Sequence, residues 1–293
     1  MTAPQTLLKA FDLKPKKDLG QNFLTDPSTS EMILDRAGIH KDTNETLIEI
    51  GPGLGALTIP AASRALHVHA VEADRDLIPV LEKELAAADC GNVTLHNRSI
   101  LKIDLEPLLG AGRSTLVIGN LPYNISSQIL IRLLAFRQRI TRGVFMLQME
   151  MAQRIAAPPG NRDYGRLSVA LQYCGSIRML ASVKSHLFFP KPKVDSAIIE
   201  VNFPENPPFM AKDETLFFDV VRAAFGQRRK TLRNSLASGI ADLGTRDAET
   251  LLLQAEIDPS RRAETVSVAE FVRLADLWHE HRENREKEAP EPA

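Results

Sequence analysis

The sequence predicts an α/β protein: a doubly wound, largely parallel sheet followed by a small all-helical domain. Three observations carry this expectation. Short β-type runs alternate with amphipathic helical segments from Thr46 onward. A glycine-rich turn separates the first run from the helix after it. Beyond the proline-rich PENPP (204–208) only helical periodicity remains.

In chain order, residues 1–30 form a polar, basic N-terminal segment with Lys14, Lys16 and Lys17 ahead of LGQNFLTDPS. Residues 31–203 carry the sheet. Its expected strands are TLIEI (46–50), LHVHAVE (66–72), NVTLHN (92–97), STLVI (114–118) and GVFMLQ (143–148), with segments such as LIPVLEKELAAA (77–88) between them. SAIIEVNF (196–203) alternates strictly and reads as an added antiparallel strand. Residues 209–283 form the helical domain, through TLFFDVVRAAF, TLRNSLASGI, ETLLLQAEI and VAEFVRLADLWHEHR. The charged, proline-containing tail at 284–293 is expected to be disordered.

Composition sets limits on function. With 44% hydrophobic and 25% charged residues, the chain reads as a soluble globular protein. No apolar run reaches membrane-spanning length, and the first 20 residues lack the apolar core of a secretory signal. Two cysteines in unrelated contexts, Cys90 and Cys174, fit a cytoplasmic protein with reduced thiols. The seven histidines show no metal spacing, so no metal is expected. A formal net charge of -1 means that any nucleic-acid contact must come from local basic patches.

IEIGPGLGALT places Gly51, Gly53 and Gly55 between a strand and a helix, where glycines permit a tight turn and close approach to a ligand. Glu72 ends the second strand about 20 residues on, where a carboxylate can accept both ribose hydroxyls. The pattern implies an adenosine-type cofactor. S-adenosylmethionine, an NAD-type dinucleotide and a ligand-free turn all remain open at this point. For Glu49 two readings stay open: it holds the loop through backbone N–H groups, or it is simply a polar residue at a strand edge.

GNLPYNIS (119–126) follows the fourth strand. Methyl transfer to an exocyclic adenine nitrogen suits Asn120, Pro122 and Tyr123. That nitrogen is a poor nucleophile because its lone pair is delocalised into the ring. The Asn120 side-chain oxygen and the Pro122 carbonyl can take its two hydrogens and free the lone pair for the methyl sulfonium. Proline fixes the backbone, and Tyr123 offers a stacking face to an extruded base.

Across nearly its whole length the sequence resembles the ribosomal RNA adenine N6-dimethyltransferases. The resemblance rests on LGQNFL, IEIGPGLGALT, VEADRDL, GNLPYNIS, QMEMAQRIAA, YGRLSV, FFPKPKVDSA, AFGQRRKTLRN and RAETVSVAEF in that order. It implies a Rossmann-like methyltransferase sheet with S-adenosyl-L-methionine as cofactor. Asn22 and Leu24 would close over that cofactor, Gly51 and Gly53 bracket its methionine part, Glu72 hold its ribose, and Asn120 touch both cofactor and target amine. Phe188, the first residue of F-x-P-x-P-x-V-x-S, would stack the base on the face opposite Tyr123. The implied substrate is a pair of adjacent adenines in a hairpin loop near the 3′ end of 16S rRNA, in the small ribosomal subunit or its precursor. The implied setting is ribosome biogenesis, by a monomer, and loss of the modification is associated with kasugamycin resistance. One departure stands out. Ser99 holds the position of an acidic residue that usually contacts the cofactor adenine amine, so affinity is expected to drop by about 1 kcal/mol.

RAAFGQRRKTLR (222–233) holds Arg222, Arg228, Arg229, Lys230 and Arg233 and no acid. Read at helical spacing, several of these share one face suited to phosphate contact. Lys16, Lys17, Lys191 and Lys193 would extend the basic track. Gln148, Glu150 and Arg154 match a family motif without an assigned role. Competing readings are a DNA adenine methyltransferase, a non-catalytic RNA-binding assembly factor, and NAD-dependent reduction. Leu121 and the helical domain favour RNA. The glycines, Glu72, Asn120 and Tyr123 favour retained catalysis.

Overall fold

The computed structural model describes residues 2–40, 43–227, 229–241 and 243–288. The chain divides into two compact units, one of residues 1–152 with 176–205 and one of residues 153–175 with 206–293.

The first unit is built on a seven-stranded sheet. The chain enters through helix α1 (Pro4–Ala10), the two-residue strand β1 (Phe23–Leu24) and α2 (Pro27–Arg36). The alternation then runs β2 (Thr43–Ile50), α3 (Thr58–Ala62), β3 (Ala65–Glu72), α4 (Ile78–Ala87), β4 (Val93–Asn97), β5 (Thr115–Asn120), α5 (Ser126–Leu134) and β6 (Ile140–Gln148). Strand order is β4-β3-β2-β5-β6-β9-β7, with β7 at Ser176–Val183 and β9 at Ser196–Asn202. The pairs from β4 to β6 are parallel, and β9 is antiparallel to both its neighbours. The five expected parallel strands and the added antiparallel one are all present.

Strand β7 was not legible in the sequence. It is the sheet edge, and its residues do not alternate between buried and exposed, so the period-two signal is missing. A second small sheet pairs β1 with β8 (Phe188–Phe189), setting Leu24 opposite Phe188 and Phe23 opposite Phe189. Two-residue strands carry no periodicity at all.

One buried cluster of the first unit joins Leu34, Leu47, Val68, Leu116 and Ile198, each no more than 0% exposed. A second joins Leu7 and Leu8 of α1 to Phe23, Leu54, Leu77 and Val80. This second cluster docks the N-terminal segment beside the glycine turn through apolar contact.

The second unit is all-helical. It holds the end of α6 (Met149–Ala156), then α7 (Arg166–Cys174), α8 (Glu214–Ala224), α9 (Leu232–Gly239), α10 (Thr245–Gln254) and α11 (Val268–Glu288). Tyr173 stacks on Phe217 with ring centroids 4.1 Å apart. Buried Ser168 donates to the Arg154 carbonyl, and the Gln172 amide donates to the Ile155 and Ala157 carbonyls. These bonds tie the end of QMEMAQRIAA to YGRLSV and Gln172 within this unit. The segment 153–175, read from the sequence as part of the sheet domain, therefore clusters with the helices. Helix α11 continues to Glu288, into the segment expected to be disordered, and residues 289–293 lie outside the described residues. Among the described residues no helix is long and apolar enough to cross a membrane.

Candidate active site

Strand order reverses between β2 and β5, whose ends pair Ile50 with Gly119. The next residues, Gly51 just past β2 and Asn120 at the end of β5, stand at the carboxyl edge of the sheet. Crevices of doubly wound sheets bind ligands at such a switch point. Here a cavity of about 310 Å³ opens, lined by Asn22, Leu24, Gly51, Gly53, Glu72, Ser99, Asn120 and Pro122. Eight of the residues expected at the site from sequence are thus brought together. Asp18 to Leu24 and the start of α1 also line the cavity.

The glycine turn is held by Glu72. One carboxylate oxygen accepts the Gly53 N–H at 3.1 Å and the other accepts the Asp74 N–H at 2.8 Å. Burial pushes the Glu72 carboxyl above its usual range, and the two backbone N–H groups oppose that shift. Gly53 sits at φ +58°, and a Cβ there would meet the Phe23 ring at 3.1 Å. The position therefore needs both the left-handed backbone and the missing side chain.

Glu49 also faces the cavity, 1% exposed. Its Oε2 has no hydrogen-bond partner. Burial, with the Glu72 charge adding, pushes its carboxyl up to about 8. Among the described residues, the ionisable side chains lining the cavity are Asp18, Glu49 and Glu72, all acidic. A dinucleotide would bring two phosphates to this wall. A cationic ligand meets the acids instead.

Asn120 Nδ2 donates to the Asn22 carbonyl at 2.9 Å. A carbonyl only accepts, so the amide nitrogen is the end facing Asn22 and Oδ1 is left for another donor. The Asn22 side chain turns back to the Gly20 carbonyl at 3.0 Å. The Pro122 carbonyl accepts the Ile125 N–H at 3.2 Å, which closes the turn into α5 and leaves one lone pair. Ser99 Oγ accepts the Leu101 N–H at 3.3 Å.

Tyr123 is half-buried, its hydroxyl 2.9 Å from Ser196 Oγ. NLPY and the serine of F-x-P-x-P-x-V-x-S are thereby tied together. Phe188 requires a correction. The expected stacking on the face opposite Tyr123 is not available here, because Phe188 is 3% exposed and belongs to the buried cluster of Leu24, Val183 and Ile198. Its antiparallel pairing with Leu24 turns it into the core. Phe189, next along, is half-buried.

The roles of Lys16, Gln21 and Asp74 were missed. Lys16 was read as part of a basic track. It instead donates to Asp74 at 2.5 Å and to Asp76 at 2.7 Å. Gln21 and Asp74 lie in two quoted motifs, LGQNFL and VEADRDL, with Lys16 just ahead of the first, and only the fold brings them together.

A model of the ribosomal RNA adenine dimethylase family matches residues 12–280. The chain belongs to the ribosomal RNA adenine dimethylase family. This dimethylase is 52% identical over 282 residues to the "Ribosomal RNA small subunit methyltransferase A" of Desulforapulum autotrophicum, covering 96% of this chain and 98% of that one. It is 41% identical over 283 residues to the protein of the same name from Bacillus cereus, covering 94% and 95%. Among solved structures, the dimethylase resembles a dimethyladenosine transferase from Plasmodium falciparum in fold, at TM-score 0.74, 21% identity and 89% and 98% coverage. It also resembles the 23S rRNA methyltransferase ErmE, at TM-score 0.65, 25% identity and 87% and 98% coverage. Its reaction class is therefore methyl transfer to adenine in ribosomal RNA.

The basic run of the dimethylase does not form one helix face. It spans the end of α8, a turn and the start of α9, because Gly226 and Gln227 leave the helix and Thr231 begins the next. Arg222 pairs with Asp219 at 2.8 Å and half-buried Arg233 pairs with Glu249 at 3.0 Å. Arg229 and Lys230 are exposed in the turn, and Arg228 lies outside the described residues.

Proposed function

We propose that this chain uses S-adenosyl-L-methionine to dimethylate the N6 amines of two adjacent adenines in a hairpin loop near the 3′ end of 16S rRNA. The small-subunit relatives at 52% and 41% identity support that choice over a large-subunit target. The observation that carries the reading is the Asn120 amide, whose nitrogen is fixed on Asn22 while its oxygen stays free beside an acid-lined cavity.

The residues present suit the cofactor. Glu49 Oε2, buried without a partner, suits an ammonium group. Each Glu72 oxygen accepts one backbone N–H and keeps a lone pair for a ribose hydroxyl. Ser99 suits an amine donor, and Asn22 and Leu24 cover the cavity. When bound, S-adenosylmethionine supplies the electrophilic methyl group.

The chain's part is positioning and electrostatics. Asn120 Oδ1 accepts one hydrogen of the target amine. The second goes to the remaining lone pair of the Pro122 carbonyl. The amine nitrogen then pyramidalises and its lone pair becomes available. Tyr123 offers a stacking face, worth roughly 1–3 kcal/mol against extrusion of the base. The methylated amine is acidic and sheds its proton without a general base. Arg229 and Lys230 of the second unit contact RNA phosphates.

The test is methyl transfer from labelled S-adenosylmethionine to ribosomal particles lacking the modification, followed by analysis of digested RNA. Dimethyladenine at two adjacent small-subunit loop positions is expected. Label confined to large-subunit RNA would overturn the assignment, and binding without transfer would favour an assembly factor.

A further inference from the structure

The loop before β1 is cross-braced to the end of β3. Lys16 Nζ bridges Asp74 and Asp76, and Gln21 Nε2 donates to the second Asp74 oxygen at 2.7 Å. Gln21 Oε1 in turn accepts the Lys16 backbone N–H at 2.8 Å. Asp74 is 3% exposed, and its own N–H is held by Glu72. The residue after Gln21 is Asn22, whose carbonyl receives the Asn120 amide. Packing of α1 already docks the N-terminal segment through Leu7, Leu8 and Phe23. What the polar brace adds is a fixed position for the backbone at 20–22. If the Asn22 carbonyl moved away, the Asn120 amide could turn over. It would then point N–H donors at a target amine that is itself a donor.

We propose that Lys16, Gln21 and Asp74 are positioning residues for methyl transfer, holding the Asn22 carbonyl so that the Asn120 oxygen faces the target amine. This rests on Asn120 acting as the acceptor. The brace lies 53 to 58 residues from the strand end it grips, so it couples the closing segment to the catalytic amide rather than to local structure.

The experiment is a charge-neutral swap read by single-turnover methyl transfer to unmodified small-subunit particles, with the dissociation constant of S-adenosylmethionine measured in parallel. Gln21→Glu keeps size and the acceptor for the Lys16 N–H but sets a carboxylate against Asp74. At saturating S-adenosylmethionine it is expected to slow transfer by about ten- to a hundredfold, the scale of a misplaced group, and by clearly more than it weakens cofactor binding. Adding Asp74→Asn reverses the hydrogen bond and is expected to restore the rate to within about threefold of the parent, which shows that the two residues act through the bond between them. An unchanged rate in Gln21→Glu, failure of the second substitution to restore it, or parallel losses of rate and cofactor affinity would each overturn the proposal. Should Gln21→Glu not fold, Lys16→Met decides. This side chain is 36% exposed, and a parental rate there overturns the brace. Asn120→Ala is run alongside. Activity in that variant would remove the acceptor reading itself, whereas an inactive Asn120→Ala with fully active brace variants removes only the brace.

Discussion

The side-chain amide of Asn120 donates to the backbone carbonyl of Asn22, 98 residues earlier in the chain, at 2.9 Å. The contact orients the amide without relying on solvent, and it joins the strand-end motif to the segment that covers the cavity.

Asn120→Ala should therefore abolish methyl transfer, with a loss of at least about 10²- to 10³-fold in rate, the scale of removing a preorganised polar group. RNA affinity should stay within a few-fold. Filter binding and transfer assays on the same preparation separate the two, and a proportional loss of both would refute the role.

Glu49 predicts a pH dependence. Its carboxyl is raised to about 8 by burial, so the folded protein without ligand holds a proton that the unfolded chain has released. Its contribution to stability is fully present below about pH 4.5 and is lost as pH rises through 8. Glu49→Gln should raise the melting temperature at pH 8 and leave it nearly unchanged near pH 4.5. The same substitution should weaken S-adenosylmethionine binding and flatten its rise between pH 6 and 8, because the parent must release this proton to meet a cation. Calorimetry in buffers of different ionisation enthalpy measures that proton directly.

Ser99→Asp should tighten S-adenosylmethionine binding by about 1 kcal/mol, roughly fivefold. An aspartate can keep the turn bond to the Leu101 N–H and add a charge toward the cofactor amine. Unchanged or weaker binding in titration would remove that reading of the loop.

Phe188→Ala should cost about 3–5 kcal/mol of stability, as for a buried aromatic. Its ring is 3% exposed, so denaturant unfolding should register the change before any RNA is present. A base-stacking ring open to solvent would leave stability nearly unaltered.

Arg229→Ala and Lys230→Ala should each flatten the salt dependence of RNA binding by roughly 0.7–0.9 in logarithmic slope. Arg222→Ala should do less, because Asp219 already pairs with that side chain. Binding measured from 50 to 200 mM salt would show the difference.

The parallel strands themselves, the glycine turn, Glu72 and the Asn120–Tyr123 turn were all determined by the sequence itself. Each is a local pattern: side-chain period, a positive φ that favours glycine at 51 and 53, or a proline-set turn. Tertiary structure alone decided the rest. Strands β1 and β8 exist only through each other. Strand β7 sits at an edge where exposure erases alternation. Phe188 became a core residue because its partner is Leu24. The basic run broke at Gly226, and Lys16 left the RNA face to join Asp74. In each case the deciding partner lies far along the chain, and a hydrogen bond or burial between distant residues leaves no periodicity in the sequence on either side.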